Sequence, residues 1–100
     1  MTSEIAARLE NLQINWMFQG KGFAFFNRGN VAVFARCSEE AISLGSSGMM
    51  TDNGLAYLIW REEQPILAAH GGKEISATPE QVEEIQRFSA DLKNALGLTA

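Results

Sequence analysis

Cys37 and His70 are the chain's only thiol and only imidazole, and they bound what chemistry it can do. A thiol nucleophile needs a base within reach, so His70 serves Cys37 only if the fold sets them on neighbouring strands. Cys37 precedes Ser38-Glu39-Glu40, which reads as a helix start, a position that stabilises a thiolate. The carboxylates of Glu39 and Glu40 oppose that effect. A small buried cysteine and a strand-end histidine explain the pair more simply, and no catalytic residue is assigned. One cysteine excludes an internal disulfide and a cysteine-cluster metal site, and one histidine excludes a His–His site. Glu80, Glu83 and Glu84 read as the solvated face of a helix, so no metal is expected. Gly71-Gly72-Lys73 lacks the spacing of a phosphate loop and runs into Glu74. Gly45-Ser46-Ser47-Gly48 follows an expected helix, the wrong dipole end for an anion. Neither implies a cofactor. Met49-Met50 suits core filling or an adaptable contact. The chain is expected not to be an enzyme.

Aromatic residues carry the stronger signal. Six of the nine fall between Trp16 and Phe34. Residues 1–37 hold two acids and four bases, whereas residues 38–100 hold ten acids and four bases. The formal net charge is −4 and the pI about 4.9, which disfavours nucleic acid as a partner. Within the aromatic stretch, Lys21-Gly22-Phe23-Ala24-Phe25-Phe26-Asn27-Arg28 resembles the RNP1 octamer of RNA-recognition motifs, with Arg28 in place of its last aromatic. That resemblance implies single-stranded RNA binding, with Phe23 and Phe25 stacking bases and Lys21 and Arg28 near phosphates. The alternative is a hairpin strand whose rings enter a core or a dimer interface. Burial is the expectation, given the net negative charge.

These residues must be positioned by a single α+β domain spanning 1–100. Ile5, Leu9 and Leu12 predict a helix over 4–14, capped by Thr2 or Ser3. The 14–20 segment alternates weakly and is left as a strand or an extended lead-in. Phe23–Phe26 and Val31–Arg36 predict a hairpin turning at Gly29, with a bulged turn. Ser38 to Gly45 reads as a two-turn helix. Met49–Thr51, Leu55–Arg61 and Ile66–His70 read as strands, with the sheet ending at Gly71-Gly72-Lys73. Thr78, Pro79 and Gln81 predict a capping box that opens a helix. Val82, Ile85, Phe88 and Leu92 form its apolar stripe, and Gly97 its stop. The expectation is a mainly antiparallel sheet of four to five strands with N- and C-terminal helices and a short middle helix, in the order α-β-β-α-β-β-α.

The strands are apolar on both faces. Leu55, Tyr57 and Ile59 point one way, and Ala56, Leu58 and Trp60 the other. A sheet wetted on one side alternates apolar with polar. Two long helices cover one face, so the second face needs another cover. A non-catalytic interaction module is therefore expected, a homodimer or a binder of another protein. Its candidate surface comprises Trp16, Phe18, Phe23, Phe25, Phe34, Met49, Met50 and Trp60. The element order and the hairpin from Gly22 to Val33 resemble Roadblock/LC7 domains, and the order is also compatible with profilin-like and secretion-chaperone folds. That resemblance implies an interaction role. Glu4 and Glu10 stand where a signal peptide is basic and then apolar, and no apolar run reaches ~18 residues. With a lone thiol, these features lead us to expect a cytoplasmic protein with no membrane partner.

Overall fold

Residues 3–20, 22–38, 41–52, 54–69 and 71–98 are described by a computed structural model. The strands are β1 (Asn15–Gln19), β2 (Phe23–Arg28), β3 (Val31–Cys37), β4 (Ile42–Leu44), β5 (Gly48–Thr51), β6 (Gly54–Arg61), β7 (Gln64–Ala69) and β8 (Glu74–Ser76). Helices α1 (Ser3–Asn11) and α2 (Pro79–Leu96) flank them. Every strand pair is antiparallel, in the order β1-β2-β3-β5-β6-β7-β8, with β4 also paired to β3. The α+β class and the two terminal helices agree with expectation. The sheet is larger than the four to five strands predicted: the 14–20 segment is β1, and β8 follows Gly71-Gly72-Lys73 where the sheet was expected to end.

The short middle helix is a strand instead. Ala41 and Leu44 have a helical spacing and Ile42 and Leu44 the strand spacing of two, so the stretch itself does not choose between them. β3 settles the choice. Its start pairs with β5 at Val31 and Ala32, which leaves Ala35–Cys37 an open edge, and β4 fills it. The Ser38 N–H donates to the Ala41 carbonyl at 2.9 Å, and the Ser38 hydroxyl accepts the Ala41 N–H at 3.1 Å. This turn replaces the predicted helix start. Glu39 and Glu40 lie outside the described residues. The element order thus departs from the one on which the Roadblock resemblance rested.

The turns show how the sequence sets register. Arg28 pairs with Val31 across the two-residue Gly29-Asn30 turn, with Gly29 at φ 61°, so the hairpin is tight and not bulged. Between β6 and β7, Glu62 and Glu63 hold φ 49° and 66°, a left-handed pair without the usual glycine.

Both helices pack on one sheet face. Ala24, Phe26, Val31, Val33 and Ala35 meet Leu9, Ile14, Ile85, Phe88 and Leu92 in one buried cluster. α2 has the predicted capping box, in which the Thr78 side chain accepts the Gln81 N–H and the Gln81 side chain accepts the Thr78 N–H. Pro79 opens the helix, and Gly97 closes it at φ 71°. α1 ends at Asn11, short of the predicted Ile14. Ser3 lies inside α1, so it is not the cap, and Thr2 is outside the described residues.

The α1 terminus uses a left-handed residue. Gln13 sits at φ 60°, and its N–H donates to the Glu10 carbonyl at 3.0 Å. The Ile14 N–H reaches the Leu9 carbonyl at 2.9 Å, and both side chains are buried. These are the two hydrogen bonds and the apolar contact of a Schellman motif, which favours glycine at the left-handed position. Gln13 is exposed, so Gln13→Gly removes the Cβ penalty without opening a cavity. It is expected to raise stability by about 1 kcal/mol, read as a higher urea midpoint with an unchanged slope.

Candidate interaction face

Cross-strand partners point to the same side of a sheet, so the register sorts every strand residue onto one of two faces. Trp16, Phe26 and Val33 share the helix-covered face, as do Phe18, Ala24, Ala35 and Leu44. The opposite face holds two adjoining rows. One is Met17–Phe25–Phe34, the other Asn15–Asn27–Ala32–Gly48–Tyr57–Ala68–Glu74. Met50–Leu55 and Ile59–Ile66 extend the same face. Both helices pack on the other side, and the buried cluster they join includes no residue of this face, although Ala32 and Leu55 on it are buried by their neighbours.

The open face is apolar and ordered by its own contacts. Phe25 and Phe34 stack with ring centroids 4.9 Å apart and planes tilted 49°. The Arg36 guanidinium sits 5.5 Å from the centre of the Phe23 ring. Met17 is 60% exposed, Phe23 40%, Met50 40%, Phe34 37% and Tyr57 36%. Charged side chains on this face stand at its margins: Arg36 at the end of β3, and Arg61 paired with Glu74 at 2.6 Å.

The predicted surface divides between the two sides. Phe23, Phe25, Phe34 and Met50 are together on the open face. Trp16 and Met49 lie on the helix side, half-buried against the core, because their register partners Phe26 and Val31 are core residues. Phe18 and Trp60 also point to the helix side and are exposed, Trp60 lining an open cleft with Pro79, Val82 and Gln86 of α2. Met17, Tyr57, Ile59 and Ile66 belong to the open face and were not in the predicted set. Tyr57 and Ile59 were legible as one side of β6, but the pattern did not say which side.

The RNP1-like octamer is separated by the same parity. Phe23 and Phe25 are on the open face, outside the core of the single chain, contrary to the simplest expectation of burial. Arg28 points the other way, where it pairs with Asp91 at 3.0 Å, donates to the Leu12 carbonyl at 3.1 Å and lies 5.7 Å from the centre of the Phe88 ring. It fastens both helices to the sheet instead of standing beside Phe23 and Phe25. Lys21 lies outside the described residues.

Cys37 is the last residue of β3, half-buried on the helix side and paired with Ile42. No helix start follows it within 41–44. His70 lies outside the described residues, so the pairing of the two is not placed. Glu83 forms an ion pair with Arg87 on exposed α2, and Glu80 and Glu84 are exposed beside it. These side chains, with Arg28 and Asp91, line an open cleft of about 510 Å³ rather than a metal site. Among the described residues, no group of three His, Cys, Asp or Glu is placed to hold a metal, and no helix is long and apolar enough to cross a membrane.

No family model matches the chain, and no curated protein or solved structure is similar to it.

Proposed function

We propose that this protein is a small non-catalytic interaction module that binds a second copy of itself through the open sheet face. The observation that carries this is a mostly apolar sheet face from β1 to β7, with Met17, Phe23, Phe34, Met50 and Tyr57 exposed on it and neither helix packed against it. Six strand positions at ~4.8 Å spacing, with about three same-side residues each, give a sheet face on the order of 600 Å², of which the exposed apolar side chains cover the larger part of the β1–β3 and β5–β6 regions. Monomers rarely expose apolar patches of more than a few hundred Å², and a stable interface buries ~800 Å² per partner. A second copy also suits the charges. The face is charge-free at its centre, and face-to-face packing sends the two acidic α2 surfaces to opposite outer sides, beyond strong mutual repulsion. The lone thiol suits a cytoplasmic setting.

Phe34→Lys tests this reading. Phe34 is central on the open face and 37% exposed, so the substitution leaves the core intact. Two lysines facing each other across the interface oppose association. The variant is expected to stay folded by circular dichroism and to lose face-to-face association at tens of micromolar in sedimentation equilibrium. An unchanged mass excludes this face as the interface.

A second reading rests on one observation, that Phe23 and Phe25 are presented together on the open face with Arg36 against Phe23. It is single-stranded RNA binding by ring stacking. With Arg28 turned to the helix side and a net charge of −4, no binding is expected to a labelled oligonucleotide at micromolar protein and physiological salt. Micromolar binding that Phe23→Ala with Phe25→Ala abolishes in a folded protein would reverse the ranking.

A further inference from the structure

We propose that β1 is a second self-association surface, pairing antiparallel with β1 of another copy about a two-fold axis at Met17. This surface is distinct from the open face and does not depend on it. The two sheet edges differ in kind. β8 has only three residues, and its Glu74 is held by Arg61. Short length and charge are the usual protections of an edge. β1 has neither. Its five residues, Asn15 to Gln19, carry no charge and no proline, and their register to β2 is unbroken by a bulge. Among the described residues, nothing pairs with its outer side.

The shape of this edge fits a second copy. Phe18 projects on the helix side and is 53% exposed. Two residues back on the same side, Trp16 walls a recess of about 370 Å³ with Glu10, Gln13, Ile14 and Asn15. A two-fold axis at Met17 sets residue 16 of one copy opposite residue 18 of the other. Each Phe18 then meets the other copy's Trp16 beside its recess. The contact is self-complementary, as a two-fold interface requires, and the strand residues it pairs, Asn15 to Gln19, carry no charge. Pairing joins the two sheets into one and satisfies the exposed backbone groups of both edges.

Two variants and one cross-link test it. With both surfaces in use, the wild-type protein is expected to sediment as more than two chains at tens of micromolar, as four where the two two-fold axes intersect and as a longer series where they do not. Phe18→Glu, which touches only the edge, is expected to reduce this to two chains, a weakening of at least tenfold. Phe34→Lys is expected to give two chains by losing the face instead. Met17→Cys in a Cys37→Ser background is expected to form an intermolecular disulfide rapidly on mild oxidation. Two Cα atoms across a paired-strand axis lie ~4.5–5.5 Å apart, within disulfide reach, whereas faces packed ~10 Å apart are not. If Phe18→Glu fails to fold, the cross-link decides. Two chains in both wild type and Phe18→Glu, with no cross-link, overturn the edge and leave the face standing; an edge occupied by an extended segment of another protein gives that same result. A monomeric Phe18→Glu beside an unaffected Phe34→Lys keeps the edge and excludes the face. A monomeric wild type excludes both.

Discussion

Phe88→Ala is expected to cost about 3–5 kcal/mol of folding stability. Phe88 is fully buried at the middle of α2, within the cluster that joins both helices to the sheet. Truncation removes apolar contacts that the neighbouring elements cannot replace, because β2 and β3 are fixed by their ladders. It also removes the ring beneath the Arg28 guanidinium, whose hydrogen bonds to Leu12 and Asp91 link α1 and α2. A domain has roughly 5–15 kcal/mol in total, so the variant approaches the unfolding threshold at room temperature. Urea unfolding followed by tryptophan fluorescence measures the loss. A midpoint indistinguishable from wild type means that α2 is peripheral to the fold.

Gly48→Ala is expected to be comparably damaging for a different reason. A Cβ at Gly48 would lie 1.9 Å from the Ala56 carbonyl oxygen, 2.7 Å from its carbon and 2.8 Å from the Tyr57 Cα. All three are backbone atoms of β6, so no side chain can turn aside. Relief requires β5 to move off β6, which breaks the Gly48–Tyr57 and Met49–Ala56 pairs at the centre of the sheet. Overpacking usually costs ~1–3 kcal/mol, and a clash confined to backbone belongs at or above the top of that range. Hydrogen exchange is expected to show β5 and β6 losing protection first. Gly20→Ala is the control: a Cβ there meets nothing within 4 Å, and stability is expected to stay within about 0.5 kcal/mol of wild type. Equal effects at both glycines would remove steric contact as the cause.

Local signals held at α2, where several of them coincide within a few residues of each helix end. Thr78, Pro79, Gln81 and Gly97 bracket α2 because caps satisfy backbone groups next to themselves in sequence. The 41–44 stretch failed for the opposite reason. Ile42 and Leu44 carry too few residues to distinguish two periods, and the deciding partner is the open end of β3. β8 was missed because three residues give almost no pattern, and its place is set by pairing with β7. Parity alone already separated Arg28 from Phe23 and Phe25; matching the octamer as a string obscured it.

Which residues travel together is legible along the chain. Alternation along β2, β3, β6 and β7 groups Phe23 with Phe25, and Leu55 with Tyr57 and Ile59, whatever the rest of the chain does. The same alternation makes both groups on each strand largely apolar. Which group meets the helices depends on packing between elements distant in the chain. Both sides of the sheet offer apolar contacts, so the choice follows from register and chain direction. The Gly29-Asn30 turn pins Phe26 opposite Val33, and α1 and α2 dock where Arg28 can bridge them. Trp16 and Met49 went with the core by that choice, and Met17, Phe34 and Tyr57 were left in the open, because a two-residue period places side chains on a common face without naming what that face will touch.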